Sequence, residues 1–387
     1  MIQDVSAVSV MYHGRKVGTL SVAGRDTCQF EYDREWLQDG FSISPLQLPL
    51  KPGLFTADYM PFRGDFGVFE DSLPGGYGEY LLLKMLRKTG IDYRSLSPVQ
   101  RLSLIGSSGM GALCYVPENT VWQGDSEASL DEMQKMALDV LSEKTDEHAD
   151  TLYFKSGNSG GARPKCILSD AEGHWLVKFR HTYDPKDIGQ QEYHYNKVAR
   201  ACGIDVPDFK LLEDKYFAVR RFDIVDGVRL HVATASGLLN EPITPPKMDY
   251  HSLLQLTGYL TQSVKAVEQQ FRRMAFNVYS HNFDDHARNF SFICRDGEWS
   301  LAPAYDLTYD NTLGEHASTV NFHGLPTDED MITVGTNAHL TPHCCREVID
   351  DVKEATKELQ RYFNRARHPG LPHRCRYRSH KGRLPAQ

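Results

Sequence analysis

The sequence predicts an α+β protein of two lobes, preceded by an additional β-rich subdomain and ending in a mainly helical lobe. The chain has 387 residues, too many for one ordinary core. Residues 1–60 carry short runs of alternating polarity separated by turn residues, whereas beyond residue 249 apolar residues recur at helical spacing. Between these regions strand-like apolar runs flank a single helical one.

The elements follow in order. Residues 5–11 alternate, residues 14–18 (GRKVG) supply a turn, and residues 18–22 pair back as a hairpin. Residues 30–37 (FEYDREWL) read as another strand running into a turn, and the proline-bearing run 46–52 as an edge strand or extended connector. Helices are expected near 77–90 and over 97–105, the latter with Ser97 as N-cap and Pro98 at the first helical position. Residues 123–150 are acidic, carry the capping-box pair Ser129 and Glu132, and read as a surface helix bridging two parts. Strands follow at 167–169, 175–179 and 216–223, with a helix over 190–202 between them. Leu253, Leu256 and Leu260, then Val264, Val267, Phe271, Met274 and Val278, give two helices. Two short strands at 290–294 and 299–302 flank a turn at 295–298, and 348–363 is a last helix.

Composition narrows the function classes. A net charge of −8 argues against a body that binds nucleic acid or membrane generally. The charge is uneven: from Arg361 onward there are seven Arg, one Lys and no acid, which leaves about −16 on the rest. Eight cysteines without a repeated CxxC pattern, and no apolar run of signal or membrane-spanning length, point to a reduced, cytoplasmic protein with no membrane association.

The chemistry is concentrated in residues 281–289 (HNFDDHARN) and in Asp306, seventeen positions beyond Asn289. An Asp with an Asn five positions on, then a second Asp after a hairpin-sized interval, is the polar skeleton of a phosphoryl-transfer site. Asp284 would orient a substrate hydroxyl and accept its proton, and Asn289 and Asp306 supply the hard oxygens that Mg²⁺ prefers. Upstream, residues 156–162 (SGNSGGA) hold Gly157, Gly160 and Gly161 with Ser156 and Ser159, a loop whose backbone N–H groups approach phosphates without Cβ obstruction. Arg163 and Lys165 add positive charge beside it.

Lys178, in an apolar strand, is either a phosphate ligand or an edge-strand solubiliser. Glu192 opens a helix and either pairs with Lys178 or is a surface charge. Asp223, at a strand end, either meets a ribose hydroxyl or caps a turn. The order of loop, Lys, Glu, Asp-x4-Asn and final Asp favours the functional reading of each. His286 suits orienting the loop better than acting as base. Residues 106–113 (GSSGMGAL) also look like a glycine loop, but no lysine follows on a nearby strand, so they read as a structural turn.

These strings resemble the HipA family of bacterial serine/threonine kinase toxins over nearly the whole chain. The resemblance rests on residues 30–33, 69–78, 110–113, 159–165, 221–223, 284–291 and 303–307. It implies a two-lobed protein-kinase-like, HipA-like fold divided as follows: an N-terminal β-rich subdomain at 1–122, an acidic helical connector at 123–150, a nucleotide-binding N-lobe at 151–230, a helical catalytic C-lobe at 231–368 and a basic tail at 369–387. It also implies that ATP and Mg²⁺ are used, with Asp284 the general base, Asn289 and Asp306 the Mg²⁺ ligands, Lys178 on the ATP phosphates and Glu192 its supporting acid. Backbone at Arg221 and Phe222 would bind adenine and Asp223 the ribose. Family members phosphorylate a serine of a protein, with aminoacyl-tRNA synthetases the known target class. They pair with a HipB-like helix-turn-helix antitoxin, through which alone DNA is met.

The chain departs from the family pattern in its glycine loop. Where the family has an autophosphorylated, inactivating serine, Asn158 stands, so that Ser159 or Ser156 takes this part or the device is absent. Arg220 replaces an acid at the hinge, and the basic tail has no counterpart. Three other readings of the residues stay open. One is a small-molecule kinase. Another is a metal-dependent phosphohydrolase using Asp284, Asp285, His286 and Asp306. The third is a catalytically silent corepressor module with apolar residues 60–62 and 67–69 as antitoxin contacts.

Overall fold

The structure, a computed structural model, describes residues 4–24, 26–119, 128–156, 160–310, 312 and 314–365. β1 (Ala7–Tyr12) and β2 (Arg15–Ala23) form the expected hairpin, with His13 and Gly14 in left-handed conformation at its turn. β3 (Thr27–Tyr32), β4 (Leu54–Thr56) and β5 (Leu113–Val116) complete an antiparallel sheet of order β4-β3-β2-β1-β5. The expected strand through residue 37 stops at Tyr32. Asp33 Oδ1 accepts from the Glu35 amide at 3.0 Å, a local turn that leads into α1 (Trp36–Asp39) and drops Trp36 into the core. Residues 46–52 form no strand, only a bridge between Ser44 and Leu48, because Pro49 and Pro52 lack the amide a ladder needs.

α2 (Gly67–Glu70) and α4 (Pro98–Ile105) pack on this sheet, whereas α3 (Tyr77–Lys88) packs on the second helix of the connector. α4 begins as the sequence dictates: Ser97 caps the Gln100 amide, and Gln100 Oε1 returns to the Ser97 amide at 2.8 Å. α5 (Leu130–Leu141), with its Ser129–Glu132 capping box, and α6 (Ala149–Ser156) fill the connector. α5 bridges as expected. Its Ala137 and Val140 pack with Leu81, Met85 and Leu152, while Leu130 and Met133 pack on the next sheet.

That sheet holds β6 (Lys165–Asp170), β7 (Gly173–Lys178), β8 (Phe209–Leu212) and β9 (Tyr216–Arg220) in the order β6-β7-β9-β8, with α7 (Ile188–Ala201) against it. A small hairpin of β10 (Ile224–Val225) and β11 (Val228–Arg229) leads to β12 (His231–Thr234). β12 pairs with β13 (Ser291–Arg295), which pairs with β14 (Glu298–Leu301) around the expected turn. α8 (Ala235–Leu239), α9 (Tyr250–Thr261), α10 (Val264–Ser280), α11 (Asp328–Asn337) and α12 (Pro342–Arg365) make up the C-terminal lobe, with α10 packed between α9 and α12.

One apolar cluster runs across the expected subdomain limits. It joins Val10, Leu20, Phe30 and Tyr115 of the first sheet to Leu253, Phe271, Phe276 and Phe292 of the C-terminal lobe. The middle sheet keeps a separate cluster of Cys166, Trp175, Val177 and Tyr216. Among the described residues no helix is long and apolar enough to cross a membrane.

Candidate nucleotide and phosphoryl-transfer site

Three stretches of chain meet at Lys178, the last residue of β7. Its Nζ lies 2.7 Å from Glu192 Oε2 on α7 and 2.5 Å from Asp306 Oδ1. Burial works against this ammonium, but Asp306 and Glu192 outweigh it and hold Lys178 above the usual lysine range. In return Lys178 holds the Asp306 carboxyl below the usual carboxylate range, despite burial and with help from Lys165. Asp306 is therefore ionised at any physiological pH.

The antiparallel register sets Lys165 directly opposite Lys178. Lys165 is buried and donates from Nζ to the Gly160 carbonyl. Burial, and then Lys178 working against the attraction of Asp306, push its pKa down to about 8. Arg163 grips Asp184 in bidentate fashion, at 2.9 and 3.1 Å, and stands 3.8 Å from Glu192. Two ammoniums and a guanidinium thus face one space. Gly161 keeps that space open: at φ 89 it has no side chain, and a Cβ there would come 2.8 Å from Lys165 Nζ and 3.9 Å from Asp306 Oδ2. Gly157, Asn158 and Ser159 lie outside the described residues. Ser156 ends α6 buried, its hydroxyl donating to the Tyr153 carbonyl at 3.1 Å.

The loop carrying Asp284 begins where His281, left-handed at φ 56, caps α10. Asp285 anchors it. The buried carboxylate accepts from Tyr250 Oη at 2.8 Å and the Ser318 amide at 3.1 Å, and it pairs with His316 Nδ1 at 3.0 Å. Asp284, half exposed, faces the cleft. Partial burial, then the charges of Asp306, Asp310 and Asp285, raise its pKa to about 7. His286 Nε2 stands 3.7 Å from Asp284 Oδ1, but burial pushes this imidazole down, so it does not supply a compensating charge at neutral pH. Asn289 Nδ2 donates to the Asp284 carbonyl at 2.7 Å, which fixes the amide with its oxygen turned away from that bond.

A divalent cation suits this donor set. The charges of Asp306, Asp310 and Asp285 all press on the Asp284 carboxylate, and among the described residues that act on it only Arg163 eases it. Among the described residues no cluster of three His, Cys, Asp or Glu forms a self-sufficient metal site.

The hinge residues lie apart from this cluster. Arg221 turns its Nε and Nη2 onto Asp223, at 2.9 and 2.6 Å, and Asp223 also accepts from the Gly111 amide at 3.1 Å. Asp223 is 3% exposed, so the ribose contact expected of it is not available here; the carboxylate is spent on pinning the 106–113 loop, the structural turn the sequence suggests. Asp223→Ala is expected to lower unfolding stability by about 3 kcal/mol while leaving nucleotide affinity nearly intact. Chemical denaturation and nucleotide titration of the same variant check this. Phe222 instead faces Tyr305, with ring centroids 5.6 Å apart, which links the hinge to the segment bearing Asp306. The positive charge of Arg163 and Lys165 beside the glycine loop is legible in the sequence, whereas the grip of Arg163 on Asp184 and the anchoring part of Asp285 depend on contacts that no local motif signals.

Comparison with known proteins matches both ends of this arrangement. A search of curated proteins returned no match. Among solved structures the chain is similar to HipA of Shewanella oneidensis MR-1, solved in a toxin–antitoxin complex with HipB and operator DNA. The identity is 17%, the TM-score 0.69, and the match covers 95% of this chain and 92% of that one. It is also similar to the Helicobacter pylori proinflammatory kinase CtkA at 15% identity and a TM-score of 0.34, over 51% of this chain and 90% of that one. Residues 8–116 fit the family profile of the HipA N-terminal domain, and residues 157–359 fit that of the HipA-like C-terminal domain. Two profiles in sequence, and a shared two-lobed α+β fold along almost its whole length, make this chain a member of the HipA family.

Proposed function

We propose that the protein is an ATP- and Mg²⁺-dependent serine/threonine kinase of the HipA toxin type, transferring the γ-phosphoryl group to a serine of a cellular protein. The observation that carries the reading is Lys178 held between Glu192 and Asp306 at 2.7 and 2.5 Å, across the cleft from an Asp284 whose pKa is raised to about 7. A bound Mg²⁺, held by Asn289 and Asp306, would supply charge neutralisation on the phosphates. The chain's own residues do the rest. Glu192 keeps the Lys178 ammonium charged and aimed into the cleft, and Lys165 and Arg163 add positive potential around the place Gly161 leaves free. Asp284 accepts the hydroxyl proton of the acceptor serine, which a carboxylate near its pKa does efficiently at neutral pH. Little covalent work remains, so positioning and electrostatics account for the rate.

The partner follows from the relative solved with HipB and its operator: we propose that a HipB-like antitoxin neutralises this kinase and provides the only contact with DNA. A tRNA synthetase is the substrate class the family resemblance suggests. Incubating the full chain with γ-labelled ATP, Mg²⁺ and a bacterial cell extract tests the activity. Label is expected in a protein band, at serine, and to disappear when the metal is chelated. Label appearing only in small molecules or free phosphate would overturn the reading.

A further inference from the structure

The stretch between α2 and α3 touches both walls of the cleft, and its contacts leave no slack. On one side, the Glu70 carbonyl accepts from Arg288 Nη2 at 2.9 Å, and the Glu70 and Asp71 carboxylates stand 3.9 and 4.0 Å from the same guanidinium. Arg288 immediately precedes Asn289, and its own carbonyl accepts from Tyr305 Oη at 2.5 Å, next to Asp306. Asp71 is fixed in turn by Thr234, whose amide and hydroxyl donate to it at 2.7 Å each. Behind it α2 crosses α8 at glycine: a Cβ on Gly67 would fall 2.5 Å from the Gly237 carbonyl, and one on Gly237 would fall 2.3 Å from Asp71 Oδ2.

On the other side, the Tyr77 amide donates to the Gly161 carbonyl at 2.9 Å. This amide is one that the first turn of α3 leaves without a partner of its own. Gly76, left-handed at φ 56, approaches so closely that a Cβ would lie 2.4 Å from the Gly161 oxygen and 2.6 Å from its carbon. The preceding Gly75 faces the opposite wall, where a Cβ would come 3.0 Å from Arg288 Nη1. Adjacent glycines therefore abut opposite sides of the cleft.

We infer that residues 70–77 are a positioning strut through which the N-terminal subdomain sets the distance between Gly161 and Asn289. Nucleotide affinity is governed from its Tyr77 end and the metal requirement from its Glu70 end. The inference rests on the nucleotide reading above. It assigns the N-terminal subdomain a part in the reaction: Gly76, Tyr77 and Arg288 act through Gly161 and Asn289 without touching the reacting atoms.

Full-length Gly76→Ala and Arg288→Ala proteins test it against wild type. The readouts are the Kd of the fluorescent nucleotide mant-ATP and the Mg²⁺ concentration giving half-maximal phosphotransfer at saturating ATP. Gly76→Ala is expected to weaken mant-ATP about tenfold, about 1.4 kcal/mol, with the Mg²⁺ midpoint little changed. Arg288→Ala is expected to shift the Mg²⁺ midpoint upward with metal-free mant-ATP affinity little changed. If both variants lose activity only in proportion to their folded fraction, with Kd and midpoint as in wild type, the strut is overturned. Should Gly76→Ala fail to fold, Arg288→Ala and Gly75→Ala carry the test, since the Cβ of the latter meets only the flexible end of Arg288. Should wild type bind no mant-ATP, the nucleotide reading falls and the strut is judged by hydrogen exchange. Faster exchange at residues 160–165 in Gly76→Ala, or at residues 284–289 in Gly75→Ala, supports it, and unchanged exchange at both places overturns it.

Discussion

Asp306→Asn is expected to reduce phosphotransfer by about 10²- to 10³-fold while the fold is kept, a loss of the size seen when one preorganised charge-stabilising group is removed from a site. The backbone argument for folding is direct. Asp306 sits at φ 55, and Asn is among the few residues that tolerate this region as well as Asp does. The electrostatic argument for inactivity is as direct. Asp306 is the carboxylate on which Lys178 closes at 2.5 Å, and it is the attraction that counters the burial of Lys165. An amide has the shape and none of the charge. Lys178 keeps Glu192, so the variant retains an ion pair at the core of the lobe. Label transfer from γ-labelled ATP, alongside circular dichroism, checks both halves. A rate within tenfold of wild type would sink the assignment of Asp306.

Asp284→Asn is expected to lower transfer by about 10²- to 10⁴-fold, the contribution of a general base, and its pH dependence identifies the role. In wild type the rate should rise with pH through about 7, because below that value the carboxyl holds its proton and cannot take another. The residual rate of the variant should be flat across the same window. Stability carries the opposite sign. An acid whose pKa is raised on folding favours the folded state only while protonated, so its contribution falls as pH rises from the ordinary carboxylate range, near 4, through about 7. Above pH 7 the wild-type carboxylate is a burden among Asp306, Asp310 and Asp285. Asp284→Asn should therefore melt slightly higher than wild type at pH 8 and about equal at pH 4. The increment is small because the group is half exposed and water screens it. A pH-independent wild-type rate between 6 and 8 would argue for another base.

Much of the site was legible because its spacing is local. Asp284, Asn289 and Asp306 lie within one loop–hairpin unit, and Lys178 and Glu192 follow one another on a strand and the next helix. Lys165 is legible as positive charge beside the glycine loop, and its place opposite Lys178 was within reach too. The turn at Asp170 and Gly173 fixes the β6–β7 register, and counting outward from it places Lys165 against Lys178. What was hidden is what depends on distant chain. β5 and β12 are four-residue strands, too short for periodicity, and exist because β1 and β13 offer them a ladder. Asp223 satisfied every local criterion for a ribose ligand and went to Arg221 and Gly111 instead, a choice made by a loop more than a hundred residues upstream in the sequence. Gly75 and Gly76 look like ordinary turn glycines until Gly161 and Arg288 are seen against them.

The apolar cluster that joins Leu20 and Phe30 to Phe271 and Phe292 has a consequence for inheritance. The regions matched by two separate profiles share one interior, so cutting either away would bare apolar side chains of the other. A recombination event that replaced only the first 116 residues would have to bring matching side chains on α9, α10 and β13 along with it. A volume change at Leu20 or Phe30 would therefore call for a compensating change on the far side of the same interior.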